Sequence, residues 1–346
     1  MKKKHLWKPI VGLFIVMTVF ITVTAASAGT RTLKYATMNP PTSGIHVHGY
    51  APWAEKVEQV TEGRVKVKIY PAQTLGKARD FFDLVKHGIA DIALGVQAYN
   101  AGQFPLSDLV TLPLLDFPSA SVAGRVMWEI YEKFPEVQNE YEGIKLLYFA
   151  TTDPYHIATL SKQVRTLEDM KGLKLRVPGG RMADTTKTLG GTPVMIPISD
   201  LYLSLEKGVI DGTAASGSMY EGLVPAEKLK HVTVDIKLWS TTFWVGMNER
   251  VWEGLSSKDQ EAIMSISGKA GSEWFSKSVF DNSMAAAFEI FKKFNTEVYQ
   301  LPNEERARWQ AITQPIHTQY LNDLEAKGLP AREVYNEIIR LTEVYK

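Results

Sequence analysis

The sequence predicts an α/β protein built from two lobes, and three observations lead to this fold class. The chain has 346 residues, a length that favours two domains over one. Strand-like and helix-like segments alternate along residues 32–96 and again along 144–247, which is typical of mostly parallel sheets flanked by helices. Residues 257–294 contain no proline and keep a helical period, so they predict a helix of about 30 residues and roughly 45 Å, with a break near 268–271 left open. Such a helix would have to span both lobes.

The first group of elements follows from apolar alternation and from residues that stop a helix or strand. Val65, Val67 and Ile69 alternate with charged residues, so they predict a strand with one exposed face, and Pro71 ends it. The predicted strands are 32–37, 65–69 and 89–96, and the predicted helices are 78–86 and the one carrying Trp53, Val57 and Val60.

The second group repeats this style and then changes to helices. Gly190 and Gly191 end one predicted helix, and the Asp211-Gly212 pair turns the chain after another. The predicted strands are 144–150, 155–160, 173–177, 193–196, 232–234 and 242–247, and the predicted helices are 182–189, 201–209 and 219–230. Further helices follow the long one to the end of the chain.

The first 28 residues have the pattern of a secretory signal peptide. Four lysines come first, the uncharged segment Ile10–Val23 follows, and Ala26-Ser27-Ala28 has the small residues of a cleavage site. An uncleaved membrane anchor is the alternative, but the apolar segment has about 14 residues where a bilayer span needs roughly 20. Cleavage after Ala28 would leave 35 basic and 38 acidic residues, a net charge of −3, and would place the protein in the periplasm.

Composition and motifs exclude several classes of function. The net charge of +1 gives no basic footprint for nucleic acid. The absence of cysteine excludes disulfides, thiolate metal sites and cysteine nucleophiles. His46 and His48 could face one side of a strand, but two histidines alone are a weak metal signal. Glu168 and Asp169 could form an acid/base pair, although a helix start explains them better. We predict no cofactor, no metal and no enzymatic activity, although the motifs do not exclude a catalytic triad scattered along the chain.

Several sequence segments together resemble one known family. The run TLEDMKGLKLRVP over 166–178 is similar to the signature of TRAP-transporter periplasmic solute-binding proteins of the DctP type. Other segments agree with that family in the same order: GRVKVKIYP over 63–71, QTLG over 73–76, VKHGIADIA over 85–93, LGGTP over 189–193, Leu201-Tyr202 with Leu205, GVIDG over 208–212, and Leu255-Ser256 with Asp259-Gln260. Each segment is weak alone, but their shared order is specific.

The resemblance implies a periplasmic-binding-protein-like fold in which two α/β lobes, joined by hinge strands and a long lobe-spanning helix, close over one ligand. The implied parts are a signal peptide at 1–28, a first lobe at 29–152 plus about 240–270, a second lobe at 153–239 plus about 271–310, and C-terminal helices at 311–346. It also implies that Arg176 pairs with a ligand carboxylate. A guanidinium matches a carboxylate in planar, bidentate geometry, and Gly179-Gly180 lets backbone amides approach an anion at a helix start.

The chain departs from the family pattern at two places. Counting back from Lys171 puts His156 where the family often has a second arginine, and Ala215 replaces a ligand-contacting asparagine. These departures predict a cleft that is less polar than in receptors for sugar acids or dicarboxylates. We therefore expect a monocarboxylate with an apolar or aromatic body, with a small hydroxy- or keto-acid as the alternative. The predicted ligand-binding residues are Arg176, His156, Tyr155, Arg181, Ser216, Tyr220, Trp239 and Phe243. Each aromatic side chain could instead belong to a lobe core, and Arg181 could be either a second cation or merely solvated.

The resemblance therefore implies an extracytoplasmic receptor that binds an organic acid and delivers it to TRAP membrane permease subunits. We expect a monomer. A periplasmic hydrolase, and a receptor for an ABC importer or a sensor kinase, are the alternatives.

Overall fold

The computed structural model describes residues 30–113 and 115–346. The predicted signal peptide lies outside the described residues. Two separate β-sheets, each flanked by helices, form two lobes, so the predicted two-lobed α/β fold is confirmed. None of the helices in these two ranges combines the length and the apolar character needed to cross a bilayer.

In the described part of the chain, the first lobe contains a five-stranded sheet in the order β2-β1-β3-β10-β4. Its strands are β1 (Arg31–Ala36), β2 (Val65–Tyr70), β3 (Ile92–Val96), β4 (Ile144–Thr151) and β10 (Thr242–Asn248). All run in one direction except β10, which is antiparallel to both β3 and β4. The register places Phe243 of β10 beside Val96 at the end of β3.

The second lobe contains, within the same described ranges, a six-stranded sheet in the order β11-β9-β5-β8-β6-β7. Its strands are β5 (His156–Thr159), β6 (Lys174–Val177), β7 (Thr192–Met195), β8 (Gly212–Ala215), β9 (His231–Val234) and β11 (Glu297–Gln300). Here β5 is the antiparallel strand. Each sheet is thus mostly parallel, and each receives one reversed strand from a chain segment that has just arrived from the other lobe.

Helices cover both sheets. In chain order they are α1 (Ala51–Val60), α2 (Phe81–Lys86), α3 (Ala120–Lys133), α4 (Pro135–Asn139), α5 (Gly180–Thr188), α6 (Leu201–Glu206), α7 (Glu249–Glu253), α8 (Ser257–Ser265), α9 (Gly268–Ser276), α10 (Ser283–Lys293), α11 (Asn303–Glu325) and α12 (Ala331–Val344). Side-chain capping sets three of their starts: Ser119 accepts a hydrogen bond from the backbone of Val122, Asn248 accepts one from Val251, and Ser256 accepts one from Asp259.

The lobes are joined by a ribbon of two antiparallel segments, which we call the hinge ribbon (residues 152–155 and 235–241). The first segment connects β4 to β5, and the second connects β9 to β10. Two backbone hydrogen bonds hold them together: Thr152 N donates to Thr241 O over 3.0 Å, and Tyr155 N donates to Trp239 O over 2.8 Å. Neither segment belongs to the two sheets.

A long helical segment also crosses between the lobes. The predicted break is present: α8 ends at Ser265, Ile266 and Ser267 interrupt the helix, and α9 begins at Gly268, which has a φ of +57°. A π-helical turn at Lys277–Asp281 continues α9 into α10. α9 packs on α3 and β4 of the first lobe, while α10 packs on the 3₁₀ turn Gly217–Tyr220 of the second. Where the lobe boundary falls along this helix stays a prediction.

The two C-terminal helices contact both lobes. α11 packs against α5 of the second lobe, and α12 packs against α3 of the first. Tyr320 on α11 donates a hydrogen bond over 2.6 Å to the carbonyl of Pro105 in the first lobe.

Three local predictions differ from the structure. The helix predicted over 219–230 is only a 3₁₀ turn ending at Tyr220, because Gly222 takes a φ of +86° and Pro225 follows it. His46 and His48 lie in a π-helical turn rather than on a strand. Helices α3 and α4 and strand β11 had no counterpart in the predicted elements.

Candidate functional site

A cavity lies between the two lobes, next to the hinge ribbon, and we call it the ligand cavity. Its volume not filled by protein atoms is about 430 Å³, including the part open to solvent. The lining residues are Met38, Asn39, Ile45, Val96, Tyr99, Thr152, Tyr155, Arg176, Pro178, Ile198, Ser216, Ser218, Met219, Leu223, Thr241, Phe243 and Phe280. Many of them follow the carboxyl ends of parallel strands, which is where open α/β sheets place their ligands.

Arg176 is the central polar residue of the ligand cavity. It sits on β6, hydrogen-bonded in register between β7 and β8, and only 1% of its surface is exposed. Its Nε donates to the carbonyl of Ile196 over 2.9 Å, and its Nη2 lies 3.4 Å from the hydroxyl of Tyr99. Its Nη1 is buried and has no hydrogen-bond partner among the residues that the structure describes. One fork of the guanidinium is therefore left for another group.

The charge of Arg176 is not balanced within the cavity. Among the lining residues described above there is no aspartate or glutamate, and no carboxylate in the described part of the chain forms an ion pair with this side chain. A buried, unpaired charge is costly unless an opposite charge and hydrogen bonds compensate it. A carboxylate placed at Nη1 would supply both, in the bidentate geometry that favours arginine over lysine.

Two tyrosines, one from the first lobe and one from the hinge ribbon, lie near this guanidinium. Tyr99 belongs to the 3₁₀ turn Gln97–Tyr99 that directly follows β3, and its hydroxyl accepts a hydrogen bond from the backbone of Ile198 over 3.0 Å. Tyr155 lies in the hinge ribbon. Burial raises the pKa of Tyr155 to about 12, although the nearby Arg176 charge acts in the opposite direction. Tyr155 is therefore a neutral hydroxyl at ordinary pH.

Ser216 closes the polar side of the cavity. It follows β8, is fully buried, and precedes the 3₁₀ turn Gly217–Tyr220. Its hydroxyl lies 3.2 Å from that of Ser218, so the two hydroxyls form a small polar patch within the cavity lining. Serine hydroxyls can both donate and accept, which suits a second polar group on a ligand.

The opposite side of the cavity is apolar and aromatic. Phe243 on β10 stacks on Phe280 of the lobe-spanning helix, with ring centroids 6.0 Å apart and planes inclined by 3°. Met38, Ile45 and Leu223 extend this surface. The cavity thus combines one cation with a flat apolar wall.

The structure brings four of the predicted ligand-binding residues together in this cavity: Arg176, Tyr155, Ser216 and Phe243. Three others are outside its lining. His156 is the next residue of the chain after Tyr155 and is buried with both ring nitrogens unpartnered. Tyr220 packs edge-on against Phe291, with centroids 4.6 Å apart. Trp239 lines a different cavity on the hinge.

Arg181, the eighth predicted residue, lies in a small neighbouring pocket rather than in the ligand cavity. It pairs with Asp184 over 2.9 Å and stacks on the ring of Tyr320 at 4.2 Å. Asp108 of the first lobe lines the same pocket, and burial raises its pKa to about 7 while the charge of Arg181 acts against this rise. Arg181 therefore interacts with groups at the lobe boundary.

Sequence reasoning missed Asn39, Tyr99 and Ser218. Asn39 follows β1, Tyr99 follows β3, and Ser218 follows β8, so all three lie beyond the carboxyl ends of parallel strands. The general rule for ligand position in α/β sheets could have identified them.

The weaker catalytic and metal signals have structural explanations. His48 lies 3.6 Å from Glu221, while His46 packs edge-on against Tyr50. Among residues 30–113 and 115–346, no three His, Asp or Glu side chains are grouped to hold a metal ion. Asp169 accepts hydrogen bonds from the backbone of Arg165 and Thr166 at the start of a 3₁₀ helix, which supports the helix-start interpretation of the acidic pair.

The two lobes, the ribbon between them and the enclosed cavity together define a two-lobed solute-binding protein. The chain belongs to the bacterial extracellular solute-binding protein family 7, whose sequence model matches residues 35–323. This is the DctP family that the sequence resembles, and the chain is a TRAP solute-binding protein. The family is periplasmic.

Comparison with individual proteins agrees with this assignment. A TRAP solute-binding protein from Rhodoferax ferrireducens, in complex with copurified benzoate, is 25% identical, with a TM-score of 0.87 covering 91% of this chain and 98% of that one. A TRAP periplasmic solute-binding protein from Bordetella bronchiseptica, with bound (R)- and (S)-mandelate, is 26% identical, with a TM-score of 0.84 covering 91% and 99%. The C4-dicarboxylate-binding periplasmic protein DctP of Rhodobacter capsulatus is 24% identical over 82% of this chain and 84% of its own.

Proposed function

We propose that this protein is the receptor for a monocarboxylate with an aromatic or apolar body. The single observation that carries the proposal is the buried Nη1 of Arg176, which has no partner, in a cavity whose described lining contains no acidic residue. Arg176 pairs with the ligand carboxylate, and the ring of the ligand lies against the wall formed by Phe243 and Phe280. Benzoate and mandelate, the acids bound by two similar structures, have this combination of one carboxylate and one ring.

Binding is coupled to closure of the lobes. Arg176 belongs to the second lobe and Tyr99 to the first, while Tyr155 lies in the ribbon between them. A ligand that contacts all three is bound more tightly by the closed form than by the open form, and this difference shifts the population towards closure. The closed complex then delivers the acid to the TRAP membrane permease subunits, and the chain acts as a monomer without turning the ligand over.

The protein must be exported to the periplasm before it can act as this receptor. The N-terminal pattern supports cleavage after Ala28, which releases the receptor into the periplasm. Intact mass measurement of the protein recovered from a periplasmic extract tests this step. A mass that includes residues 1–28 would contradict it.

The experiment for ligand class is a calorimetric titration with matched compounds. Benzoate, phenylacetate, mandelate and hexanoate keep the carboxylate and vary the body, while benzamide and benzyl alcohol keep the ring and remove the charge. We expect binding by at least one aromatic acid and no measurable binding by the neutral compounds. Recovery of the acid unchanged after incubation supports a receptor, whereas conversion would support a hydrolase. Equal binding of benzamide and benzoate would refute the role of the charge.

The variant series addresses Arg176 itself. Arg176→Ala removes charge-assisted hydrogen bonds of about 1.5–3 kcal/mol, so we expect a loss of affinity of roughly 10- to 150-fold. Arg176→Lys keeps the charge but not the planar fork, so its affinity should lie between those of wild type and Arg176→Ala. Arg332→Ala is the matched control, because Arg332 is exposed and pairs with Glu325 far from the cavity lining. Wild-type affinity in Arg176→Ala would overturn the assignment.

A further inference from the structure

A second cavity lies on the hinge, and the proposed receptor function does not use it. We call it the hinge cavity. It is lined by the hinge ribbon (Asp153, Pro154 and 237–240), by the lobe-spanning helix (Phe280, Asp281 and Met284) and by the loop 115–120 with Leu112 and Ala123. Its volume not filled by protein atoms is about 970 Å³, including the part open to solvent. Thr152 and Phe280 line both cavities, so the two share a wall.

Two buried polar groups in the hinge cavity lack partners. Trp239 is 3% exposed, and its indole Nε1–H has no hydrogen-bond acceptor. Asp153 is 8% exposed; its Oδ2 accepts a hydrogen bond from the backbone of Gly217 over 2.8 Å, and the hydroxyl of Ser283 also acts on this carboxyl. Its Oδ1 has no hydrogen-bond partner among the described residues. Buried polar atoms of this kind are rare in folded proteins and cost free energy when unpaired. Two residues of the cavity lining thus carry one donor and one acceptor that have no hydrogen-bond partner among the described residues.

The charges of the lining are mostly negative. Asp281 accepts hydrogen bonds from the backbone and hydroxyl of Ser121, over 3.0 and 2.6 Å. Lys237 is exposed and pairs with Asp116 over 3.5 Å. Lys237 therefore compensates one of three lining carboxylates, and no lysine or arginine of the described ranges forms an ion pair with Asp153 or Asp281. Burial raises the pKa of Asp153 to about 7, so a neighbouring cation would stabilise its ionised form.

The remaining walls are apolar. Phe117, Leu238, Phe280 and Met284 surround the polar groups. A bare metal ion or a simple inorganic ion would leave these side chains without contacts. A molecule with a positive group at one end and an apolar body at the other matches both parts of the lining.

We infer that the hinge cavity is a second binding site, which takes a small organic ammonium ion that carries an oxygen acceptor on an apolar body. The ammonium group donates to Asp153 Oδ1, the oxygen accepts from the indole N–H of Trp239, and the apolar body lies among Phe117, Leu238 and Met284. The two cavities differ in charge. The ligand cavity is built around an unpaired arginine, and the hinge cavity around an unpaired carboxylate.

The test uses 2-amino-1-phenylethanol as the probe and the full-length mature protein at pH 8, where Asp153 is ionised. The probe is titrated while the indole ¹H–¹⁵N signals of the tryptophans are recorded by NMR, with the Trp239 signal assigned from its absence in Trp239→Phe. We expect a saturable shift of this signal. An unmoved Trp239 signal at saturating probe would overturn the inference, and this measurement needs no variant of Asp153.

Variants then test each recognition element. Asp153→Asn keeps an acceptor for Gly217 but removes the charge, and we expect at least a fivefold loss of amine affinity; Asp323→Asn, on the exposed face of α11, should bind as the wild type does. Phenethylamine lacks the hydroxyl, so it should bind wild type more weakly than the probe does, and Trp239→Phe should remove this difference. Arg176→Ala should retain amine binding. Equal affinity in Asp153→Asn and wild type, or loss of amine binding in Arg176→Ala, would contradict the site.

Discussion

Tyr99 of the first lobe reaches across the cleft to Arg176 of the second, with 3.4 Å between the phenol oxygen and Nη2. The same oxygen accepts a hydrogen bond over 3.0 Å from the backbone of Ile198, which also belongs to the second lobe. One hydroxyl of the first lobe therefore meets two donors of the second. Moving the lobes apart would break both contacts, so we expect them to stabilise the closed form and to orient the guanidinium for the proposed anion.

The first prediction concerns Tyr99→Phe. Removing the hydroxyl leaves Ile198 N and Arg176 Nη2 without this acceptor, and a lost hydrogen bond of about 0.5–1.5 kcal/mol predicts a loss of ligand affinity of roughly 2- to 13-fold. Small-angle scattering should show a smaller closed fraction at the same acid concentration. Tyr202→Phe is the control, because Tyr202 is exposed on α6. Unchanged affinity and scattering in Tyr99→Phe would show that this hydroxyl plays no part in closure.

The second prediction concerns Gly179, at the start of α5. Its φ of +133° belongs to a region open almost only to glycine, and a Cβ built there would lie 2.5 Å from the carbonyl oxygen of Ala98 in the first lobe. Gly179→Ala should therefore oppose closure as well as strain the backbone. We expect a loss of ligand affinity of tenfold or more by calorimetry, and an open form by scattering at saturating acid.

Gly172→Ala provides the matched control. Gly172 is in the same lobe and also has a positive φ, +73°, but a Cβ there meets nothing within 4 Å. Both variants should lower the melting temperature through backbone strain, and only Gly179→Ala should lose affinity. If the two lose affinity equally, backbone strain rather than the contact with Ala98 explains the loss.

Much of the fold could be predicted from the sequence because local signals mark most elements. Proline and glycine end the strands and helices around β2, α5 and α6, and capping by Ser256 marks the start of α8. The helix predicted over 219–230 fails for a reason also present in the sequence, since Gly222 and Pro225 interrupt its apolar pattern.

The site could be predicted only in part. Arg176 stands in a family motif, so the resemblance identifies it, but Tyr99 has no motif and contacts Arg176 from the other lobe. Trp239 lies in a ribbon where Asp235 and Lys237 take left-handed backbone conformations, with φ of +64° and +55°. Strand alternation cannot predict which side such a segment presents, and Trp239 lines the hinge cavity rather than the ligand cavity. Direct contact of the predicted residues with ligand stays a prediction.

The third prediction concerns Phe243 and ligand selectivity. Phe243→Leu keeps an apolar side chain but removes the flat ring that stacks on Phe280. Aromatic contacts add about 0.5–1.5 kcal/mol beyond the area they bury, so benzoate should lose roughly 2- to 13-fold in affinity while hexanoate changes less. Phe288→Leu is the control, because Phe288 is exposed on α10. Equal losses for both acids would exclude ring stacking as a source of selectivity.

The fourth prediction concerns His156 and the dependence of stability on pH. Burial lowers the pKa of His156 from 6.5 to about 4, and the charge of Asp235 acts in the opposite direction. Between pH 6.5 and 4 the unfolded chain therefore binds a proton at this histidine that the folded protein does not bind. The free energy of unfolding contributed by this difference is fully present above pH 6.5 and is lost as the pH falls to 4, by about 3 kcal/mol in total.

His156→Leu removes this titration and fills the buried position with an apolar side chain, so the loss of stability between pH 6.5 and 4 should shrink by about 3 kcal/mol relative to wild type in urea unfolding. Comparing the two proteins cancels the contributions of other groups, including Asp153 and Asp108, whose raised pKa values act in the opposite direction over this range. Asp235→Asn should lower the pKa of His156 further, which an NMR titration of the imidazole can follow. Parallel stability curves for His156→Leu and wild type would mean that His156 gains its proton in the folded protein as readily as in the unfolded chain, through water or a hydrogen bond at its two unpartnered nitrogens.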